Sequence, residues 1–295
     1  MNEIFYKWIV MLSGKLGPWV FHTYRSIVAV GFFFLFPLRV AASVRFYRVL
    51  FPDKHLRYHL WCTLRQYLNF TTIFLDRFFL QESGDISYTS EGWEYFEDAL
   101  ERKTGGIILM SHMGNWEVAA HLFKEKKQDI PLLLYMGAKH KEQMEQIQKE
   151  SLSHKGIKII ALDQDSDSPF DIIEGINFLK SGGFVSITGD VIWHKKQRTV
   201  SVRFLEHVVN LPETPHILSL LSGVPLFIFF AFRTSDRQYH FSVTKPGYIR
   251  SASRSDRKEA VRRSTQKYAS LLEKAVREHP LEWYHFSTFL GKRLK

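Results

Sequence analysis

Residues 105–117 read Gly-Gly-Ile-Ile-Leu-Met-Ser-His-Met-Gly-Asn-Trp-Glu, and this stretch decides the fold. The apolar run 107–110 after two glycines is typical of a short buried strand, and a helical pattern begins at Asn115. The strand therefore delivers His112 to its carboxyl end, just before a helix. Ligands of open α/β sheets bind in the crevice at that end of the strands. We expect His112 to lie in such a crevice.

Strand and helix patterns alternate on the carboxyl side of this stretch. Apolar runs predict further strands at 131–135, 156–161, 184–188, 200–204, 225–232 and 238–243. Helical patterns occupy 141–153, 170–180, 215–222 and 256–278. This alternation predicts an α/β fold with a mostly parallel or mixed central sheet that is flanked by helices.

The amino-terminal 81 residues show helical periodicity instead of alternating strand and helix patterns. Leu56, Leu60, Leu64 and Leu68 recur at a spacing of four and form one helical stripe. We therefore predict a helical amino-terminal region at 1–81 and an α/β domain at 82–295.

The segment Trp19–Leu38 is apolar except for Arg25, and three arginines follow within ten residues. An apolar run with arginines at both ends is typical of a helix that is embedded in a membrane or lies at its interface. The pattern leaves open whether this segment spans the membrane or lies in the interface. A buried hairpin of a soluble helical region is the alternative interpretation.

The net charge of +10 is unevenly distributed along the 295 residues. Residues 1–80 carry 10 basic and 3 acidic side chains, and residues 245–295 carry 13 and 5, whereas the middle of the chain is mildly acidic. Basic ends attract phosphate or acidic proteins. A nucleic-acid binder is disfavoured, because these ends carry no zinc-ligand spacing and no glycine-rich or aromatic-interleaved RNA motif. We therefore expect an anionic membrane surface as a partner and no nucleic acid.

The spacing of His112 and Glu117 suggests acid–base chemistry. With Gly114 allowing a tight bend, the Glu117 carboxylate can accept a hydrogen bond from one imidazole nitrogen and raise the basicity of the other. Such a pair without its own nucleophile would deprotonate a substrate hydroxyl, which then attacks an acyl donor. Asn115 or the first amides of the helix would stabilise the oxyanion. No metal site is predicted, because the i, i+4 histidine pair of helical zinc sites is absent.

The stretch GGIILMSHMGNWEVAAHLF at 105–123 resembles the lipid A biosynthesis acyltransferase family, within the superfamily of glycerolipid acyltransferases with an HxxxxD/E signature. Three further segments support the resemblance, in the order of the family: Gly183–Asp190, Pro215–Pro225 and His279–Tyr284. It implies transfer of an acyl chain from acyl carrier protein, or less often from acyl-CoA, to a hydroxyl of a membrane glycolipid. The resemblance also implies that the enzyme needs no cofactor beyond this co-substrate. It further implies action at the cytoplasmic face of the bacterial inner membrane.

The resemblance also implies roles for individual residues. His112 and Glu117 would form the catalytic pair, and the expected substrate-binding residues are Gly114, Asn115, Trp116, Asp190 and Lys149. Lys149 is a nearest candidate for an arginine that the family carries after its second strand. The carboxyl-terminal ending also departs from the family pattern. A different acceptor, such as a lysophospholipid or an aminolipid, therefore stays open, as does a non-catalytic membrane-surface module.

Overall fold

The computed structural model of the chain describes residues 19–82, 86–120, 130–138, 157–163, 169–193 and 196–294. Within these ranges the helices are α1 (Trp19–Leu35), α2 (Pro37–Leu50), α3 (Leu56–Glu82), α4 (Glu94–Glu101), α5 (Pro169–Lys180), α6 (Thr214–Ser222) and α7 (Arg257–Glu278). The strands are β1 (Ser87–Glu91), β2 (Gly106–Met110), β3 (Leu132–Ala138), β4 (Lys158–Asp163), β5 (Phe184–Thr188), β6 (Thr199–Phe204), β7 (His207–Pro212), β8 (Leu226–Ser235) and β9 (Gln238–Val243).

Seven of the described strands form one sheet, in the order β1-β9-β8-β2-β5-β3-β4. All neighbours run parallel except β8 and β9, which pair antiparallel. Strands β6 and β7 form a separate antiparallel hairpin. The predicted α/β fold with a mostly parallel sheet is therefore confirmed.

Both faces of the sheet are buried, as the apolar runs of the sequence require. Ile107 and Leu109 of β2 face one hydrophobic cluster, whereas Ile108 and Met110 face the other. Because successive side chains of a strand point to opposite faces, a strand that is covered on both sides reads as a continuous apolar run. Strand β2 is therefore the central strand of the sheet. Its carboxyl end lies beside the carboxyl ends of its parallel neighbours.

Two strands were not predicted. Strand β1 carries the polar sequence SYTSE and is largely exposed. It is the edge strand of the sheet and pairs parallel with β9. Strand β7 is paired with β6. Because β1 is an exposed edge strand, it buries few side chains and leaves no apolar run in the sequence, whereas β7 is mostly buried but short, with the polar residues His207 and Asn210 in its sequence. The helix predicted at 141–153 lies outside the described residues.

Helices α1 and α2 meet in a sharp elbow at Phe36. Pro37 occupies the first turn of α2, where its missing N–H costs nothing, and the two helices are bent by 93°. Among the described residues, no single helix has the length and hydropathy for a membrane span, although Thr23–Leu35 and Pro37–Leu50 together meet these criteria. The elbow carries exposed apolar side chains: Phe34 is 73% exposed, Leu35 75% and Leu38 86%.

The amino-terminal helices pack against the carboxyl-terminal segment that follows α7. Tyr47 of α2 donates a hydrogen bond to the carbonyl oxygen of Pro280, 3.0 Å away. Gln66 of α3 donates another to the carbonyl oxygen of Trp283. These contacts bring α2 and α3 close to the end of the sheet that carries His112. The boundary at 81/82 stays a prediction.

Candidate active site

His112 and Asp190 are brought together by the register of two neighbouring parallel strands. Met110, the last residue of β2, pairs with Thr188, the last residue of β5. His112 and Asp190 each follow two residues later, so the two strands deliver both side chains to the same crevice. The carbonyl oxygen of Met110 accepts hydrogen bonds from the Gly189 amide at 2.8 Å and from another element, the Tyr268 hydroxyl of α7, at 2.9 Å.

The carboxylate of Asp190 accepts three hydrogen bonds. The Nδ1 atom of His112 lies 2.9 Å from Oδ1 of Asp190. The backbone amide of His112 donates to Oδ2 at 2.8 Å, and the indole Nε1–H of Trp283 donates to the same oxygen at 2.9 Å. Asp190 has no exposed side-chain surface, whereas the His112 side chain keeps 27% of its surface exposed. The imidazole is therefore anchored on its Nδ1 side and still reaches the crevice.

Asp190 is charged at neutral pH despite its burial. Burial by itself raises the pKa of a carboxyl group, because it disfavours the charged form. The attraction and hydrogen bond of His112 and, with smaller effect, the charge of His285 and the hydrogen bond from Trp283 outweigh burial. They hold the pKa of Asp190 below its ordinary value. A fixed negative charge thus faces Nδ1 of His112.

The turn after His112 is fastened to the carboxyl-terminal segment. The Tyr284 amide donates a hydrogen bond to the carbonyl oxygen of His112 at 2.8 Å. The Gly114 amide donates to the carbonyl oxygen of Glu282, also at 2.8 Å. Residues from the far end of the chain therefore fix the backbone on both sides of Met113.

Gly114 and Asn115 both stabilise the conformation of this turn. Gly114 has a φ of +62°, and a Cβ atom there would overlap the carbonyl oxygen of Ala231, so only glycine fits. The Asn115 side chain begins the helical turn 116–120 by accepting a hydrogen bond from the Val118 amide at 3.3 Å. Its amide nitrogen donates to the Tyr239 hydroxyl at 3.1 Å. The predicted substrate contacts of both residues stay predictions.

A buried polar network continues behind Asn115. The Tyr239 hydroxyl donates to the carboxylate of Asp76 on α3, and Nε of Arg233 lies 2.7 Å from the same carboxylate. Burial and the Asp76 charge raise the pKa of Tyr239 well above its ordinary value, so its hydroxyl keeps its proton and can donate. The network therefore connects the amino-terminal helices to the turn that carries His112.

Three aromatic residues line the site beyond the residues that the sequence predicted. The Trp193 ring centroid lies 6.2 Å from that of His112. Trp283 stacks on His285 at 5.1 Å while its indole N–H holds Asp190. The only sequence signal for Trp283 was its place in the segment His279–Tyr284. Trp193 and His285 gave no signal of their own.

A comparison of the sequence with family models gives an independent indication of function. The model described as bacterial lipid A biosynthesis acyltransferase matches residues 68–295. The chain belongs to this family. It is therefore an acyltransferase, and its substrates are an acyl donor and a lipid acceptor. No curated protein sequence matches the chain significantly.

The remaining predicted site residues of this lipid A-type acyltransferase are placed as follows. Glu117 is buried, with 3% of its surface exposed, on the helical turn 116–120. The carboxylate at hydrogen-bond distance from Nδ1 of His112 is that of Asp190, and a contact between His112 and Glu117 stays a prediction. Trp116 is half-buried and packs against the hydrophobic cluster of Ile108. Lys149 lies outside the described residues.

The acyltransferase also has an open basic cleft of about 230 Å³, away from His112. Its cations are Lys245, Arg250, Arg263 and Lys267. It is lined by Leu226 at the start of β8, which pairs with Ile107, five residues before His112. Ile228 also lines the cleft, whereas Ala231 of the same strand pairs with Gly114 beside His112, so the cleft lies toward the amino-terminal end of β8. Within the described ranges, no group of three or more His, Cys, Asp or Glu side chains could hold a metal ion.

Proposed function

We propose that this enzyme transfers a fatty acyl chain from a thioester donor to a hydroxyl group of a lipid A-type glycolipid, with His112 as the general base. The observation that carries the proposal is the hydrogen bond from Nδ1 of His112, at the carboxyl end of the central strand, to the buried, charged carboxylate of Asp190. A histidine that is fixed in this way has one defined tautomer and one basic nitrogen.

The proton transfers follow from that tautomer. With the Nδ1–H bound to Asp190, Nε2 of His112 carries the lone pair and accepts the proton of the acceptor hydroxyl. The alkoxide oxygen attacks the thioester carbonyl carbon, and a tetrahedral intermediate forms. The carbon–sulfur bond then breaks, and the imidazolium returns its proton to the thiolate. An ester and a free thiol leave, and His112 is again neutral.

Asp190 is assigned the orienting role because its carboxylate contacts Nδ1 directly. Its negative charge also stabilises the imidazolium that forms during the reaction. For Glu117 we retain the sequence-based proposal that it acts in the same site, as a buried carboxylate one turn beyond His112. The role of the first amides of the helical turn 116–120 as an oxyanion hole is likewise a proposal.

Acyl carrier protein is the proposed donor, because the chain offers basic surfaces to an acidic carrier. The basic cleft is one such surface, and the carboxyl-terminal region 245–295 carries 13 basic against 5 acidic residues. Complementary charge raises the rate of association and favours the correct partner. Acyl-CoA remains the second candidate, because it carries the same thioester.

Purified enzyme is expected to use acyl carrier protein thioester at least about tenfold more efficiently than the same acyl chain on CoA, measured as kcat/KM at low salt. The advantage should shrink in 0.5 M NaCl, because exposed charges are screened beyond about 5 Å at that salt concentration. A mass-spectrometric assay of the acylated glycolipid measures both donors. Equal efficiency with both donors at every salt concentration would reject the carrier protein as donor.

We also propose that the enzyme sits at the cytoplasmic face of the bacterial inner membrane through the elbow of α1 and α2. The proposal is supported by the exposed apolar side chains Phe34, Leu35 and Leu38 and by Arg45 and Arg48 on the following helix. Apolar side chains at the tip with cations behind them suit a helix pair that dips into the acyl region beneath anionic headgroups.

Replacing Leu35 and Leu38 together by glutamate is expected to weaken binding to vesicles with anionic lipid by at least about 100-fold, because burial of each leucine is worth about 1.5–3 kcal/mol. Vesicle co-sedimentation measures the effect. Leu221→Glu, which changes an exposed leucine on α6, is the control. If the wild-type enzyme stays bound to vesicles in high salt, apolar insertion is supported. If high salt releases the wild-type enzyme and the Leu35/Leu38 double variant binds as well as wild type, the basic residues alone account for binding.

A further inference from the structure

The basic cleft at the amino-terminal end of β8 concentrates positive charge. Its walls are the start of β8, the loop that follows β9 and the first three turns of α7. Among the described residues, the cations that line it are Lys245, Arg250, Arg263 and Lys267, and the lining contains no acidic residue. Arg263 lies 3.6 Å from Asp256 and 3.9 Å from Glu259, which is longer than a hydrogen bond. The charge in the cleft is therefore largely left unneutralised by the chain itself.

A buried histidine orients one of the hydroxyl groups in the cleft. Nδ1 of His216 on α6 lies 2.9 Å from Oγ of Ser264, and 1% of the His216 surface is exposed. Burial lowers the pKa of His216 to about 3, so the imidazole is neutral and carries one N–H. Among the described residues Nε2 of His216 has no hydrogen-bond partner, and a buried N–H without a partner is costly, so the proton belongs on Nδ1. Ser264 then accepts this hydrogen bond, and its own hydroxyl proton is free to donate into the cleft.

A second hydroxyl group in the cleft is prepared in the same way. The Ile228 amide of β8 donates a hydrogen bond to Oγ1 of Thr244 at 3.0 Å. Because this oxygen already accepts a proton, the hydroxyl proton of Thr244 is free to donate to a ligand. The cleft thus combines two oriented hydroxyl donors with lysine and arginine side chains, which only donate. Donors of this kind suit a phosphate group, whose oxygens are charged acceptors.

The size and the position of the cleft favour a small soluble ligand. Its volume of about 230 Å³ is below the roughly 300–1,000 Å³ of pockets for drug-sized molecules. Leu226 lines the cleft, whereas Arg233, seven residues later on β8, contacts Asp76 of the amino-terminal helix α3. Seven strand residues span about 23 Å. The cleft is therefore remote from the amino-terminal helices that carry the proposed membrane contact, which disfavours a lipid headgroup as the source of the phosphate.

We propose that this cleft binds the diphosphate group of a soluble phosphate ester, with Lys267 and Ser264 contacting its oxygens. The several negative charges of a diphosphate match the cations of the cleft, and its oxygens accept hydrogen bonds from Ser264 and Thr244. The site is separate from His112 and does not depend on the proposed acyl transfer. The proposed function offers the same cations to acyl carrier protein, so a bound diphosphate would compete with the carrier for this surface.

Calorimetric titration of the detergent-solubilised full chain with pyrophosphate, and in parallel with ADP, tests the site. The wild-type enzyme is expected to bind both. Lys267→Gln should weaken binding about tenfold, because a hydrogen bond between charged groups is lost, and Ser264→Ala should weaken it by a comparable factor. The matched control is Lys274→Gln, which removes an exposed lysine of the same helix outside the cleft and should change binding less than about twofold.

Thermal unfolding shows whether each variant is folded. Ser264→Ala leaves Nδ1 of the buried His216 without its acceptor, so Lys267→Gln carries the test if the alanine variant fails to fold. Absence of binding at millimolar pyrophosphate or ADP to wild type would overturn the proposal, as would an equal loss in Lys274→Gln. It would also be overturned if Lys267→Gln bound pyrophosphate normally. A loss in that variant of binding to anionic phospholipid vesicles would then assign the cleft to headgroups, and a loss of binding to acyl carrier protein would assign it to the carrier.

Discussion

Replacement of His112 by alanine is expected to lower kcat for acyl transfer by about 10²–10⁴-fold, the usual cost of losing a general base. The acceptor hydroxyl then loses the imidazole that is proposed to take its proton during attack on the thioester. KM for both substrates should change little, because the proposed binding surfaces lie on other residues. Steady-state acylation of the glycolipid, followed by mass spectrometry, measures the loss.

The matched control is His240→Ala, which removes a partly exposed histidine of β9 that hydrogen-bonds to Thr89. It should keep kcat within about twofold. His112→Ala should unfold at a lower temperature than the wild type, because it removes the imidazole that offsets the burial of the Asp190 charge, so circular dichroism has to show that the variant is folded under the assay conditions. A folded His112→Ala enzyme with wild-type turnover would exclude His112 as the base.

Asp190→Asn is expected to lower kcat nearly as much as loss of the base, because asparagine selects the wrong imidazole tautomer. The two donors that converge on Oδ2, the His112 amide and the Trp283 indole, hold the asparagine carbonyl oxygen at that position. The asparagine NH₂ group then faces Nδ1 of His112 and donates to it. The ring proton moves to Nε2, which can no longer accept a proton. A carboxylate-to-amide change of this kind costs up to about 10⁴-fold in serine-hydrolase triads.

Glu117→Gln separates the two candidate orienting carboxylates. Our assignment predicts a smaller loss in kcat for Glu117→Gln than for Asp190→Asn under the same conditions, with both variants folded by circular dichroism. The reverse order, with wild-type turnover in Asp190→Asn, would restore Glu117 as the partner of His112 and leave Asp190 a purely structural role.

The sequence was sufficient to predict the fold class and the position of His112. The covered strand β2 has to be apolar at every position, and the glycines around it mark where the chain turns, so both features are local. The predicted strand and helix bounds in the α/β part agree with the structure to within three residues. The exceptions are two strands that the sequence did not predict: β7, which pairs with β6, and the polar edge strand β1, which is stabilised by its partner β9 and not by burial of its own side chains.

The partner of His112 could not be chosen from sequence spacing. Glu117 is close in the chain, whereas Asp190 is 78 residues away and reaches His112 only because β5 is the neighbour of β2. Strand order is a property of the whole sheet, and no local pattern encodes it. The one sequence feature that points to this pair is a polar residue two positions after each of two buried strands.

The carboxyl-terminal contribution to the site was equally non-local. Trp283 and His285 follow the long helix α7 and fold back across the end of the sheet, where they meet Asp190. An aromatic residue near a chain end has many possible positions, so the sequence indicated only its resemblance to the family ending.

The central claim is that this chain, through His112, adds an acyl chain to a lipid A-type lipid. The most direct test is mass spectrometry of the total lipid from cells in which His112→Ala replaces the wild-type protein. The predicted result is a glycolipid that lacks the mass of one acyl chain, with phospholipids unchanged. An unchanged glycolipid accompanied by a missing acyl chain in another lipid class would contradict the proposed acceptor, and an unchanged lipid profile throughout would contradict the proposed activity.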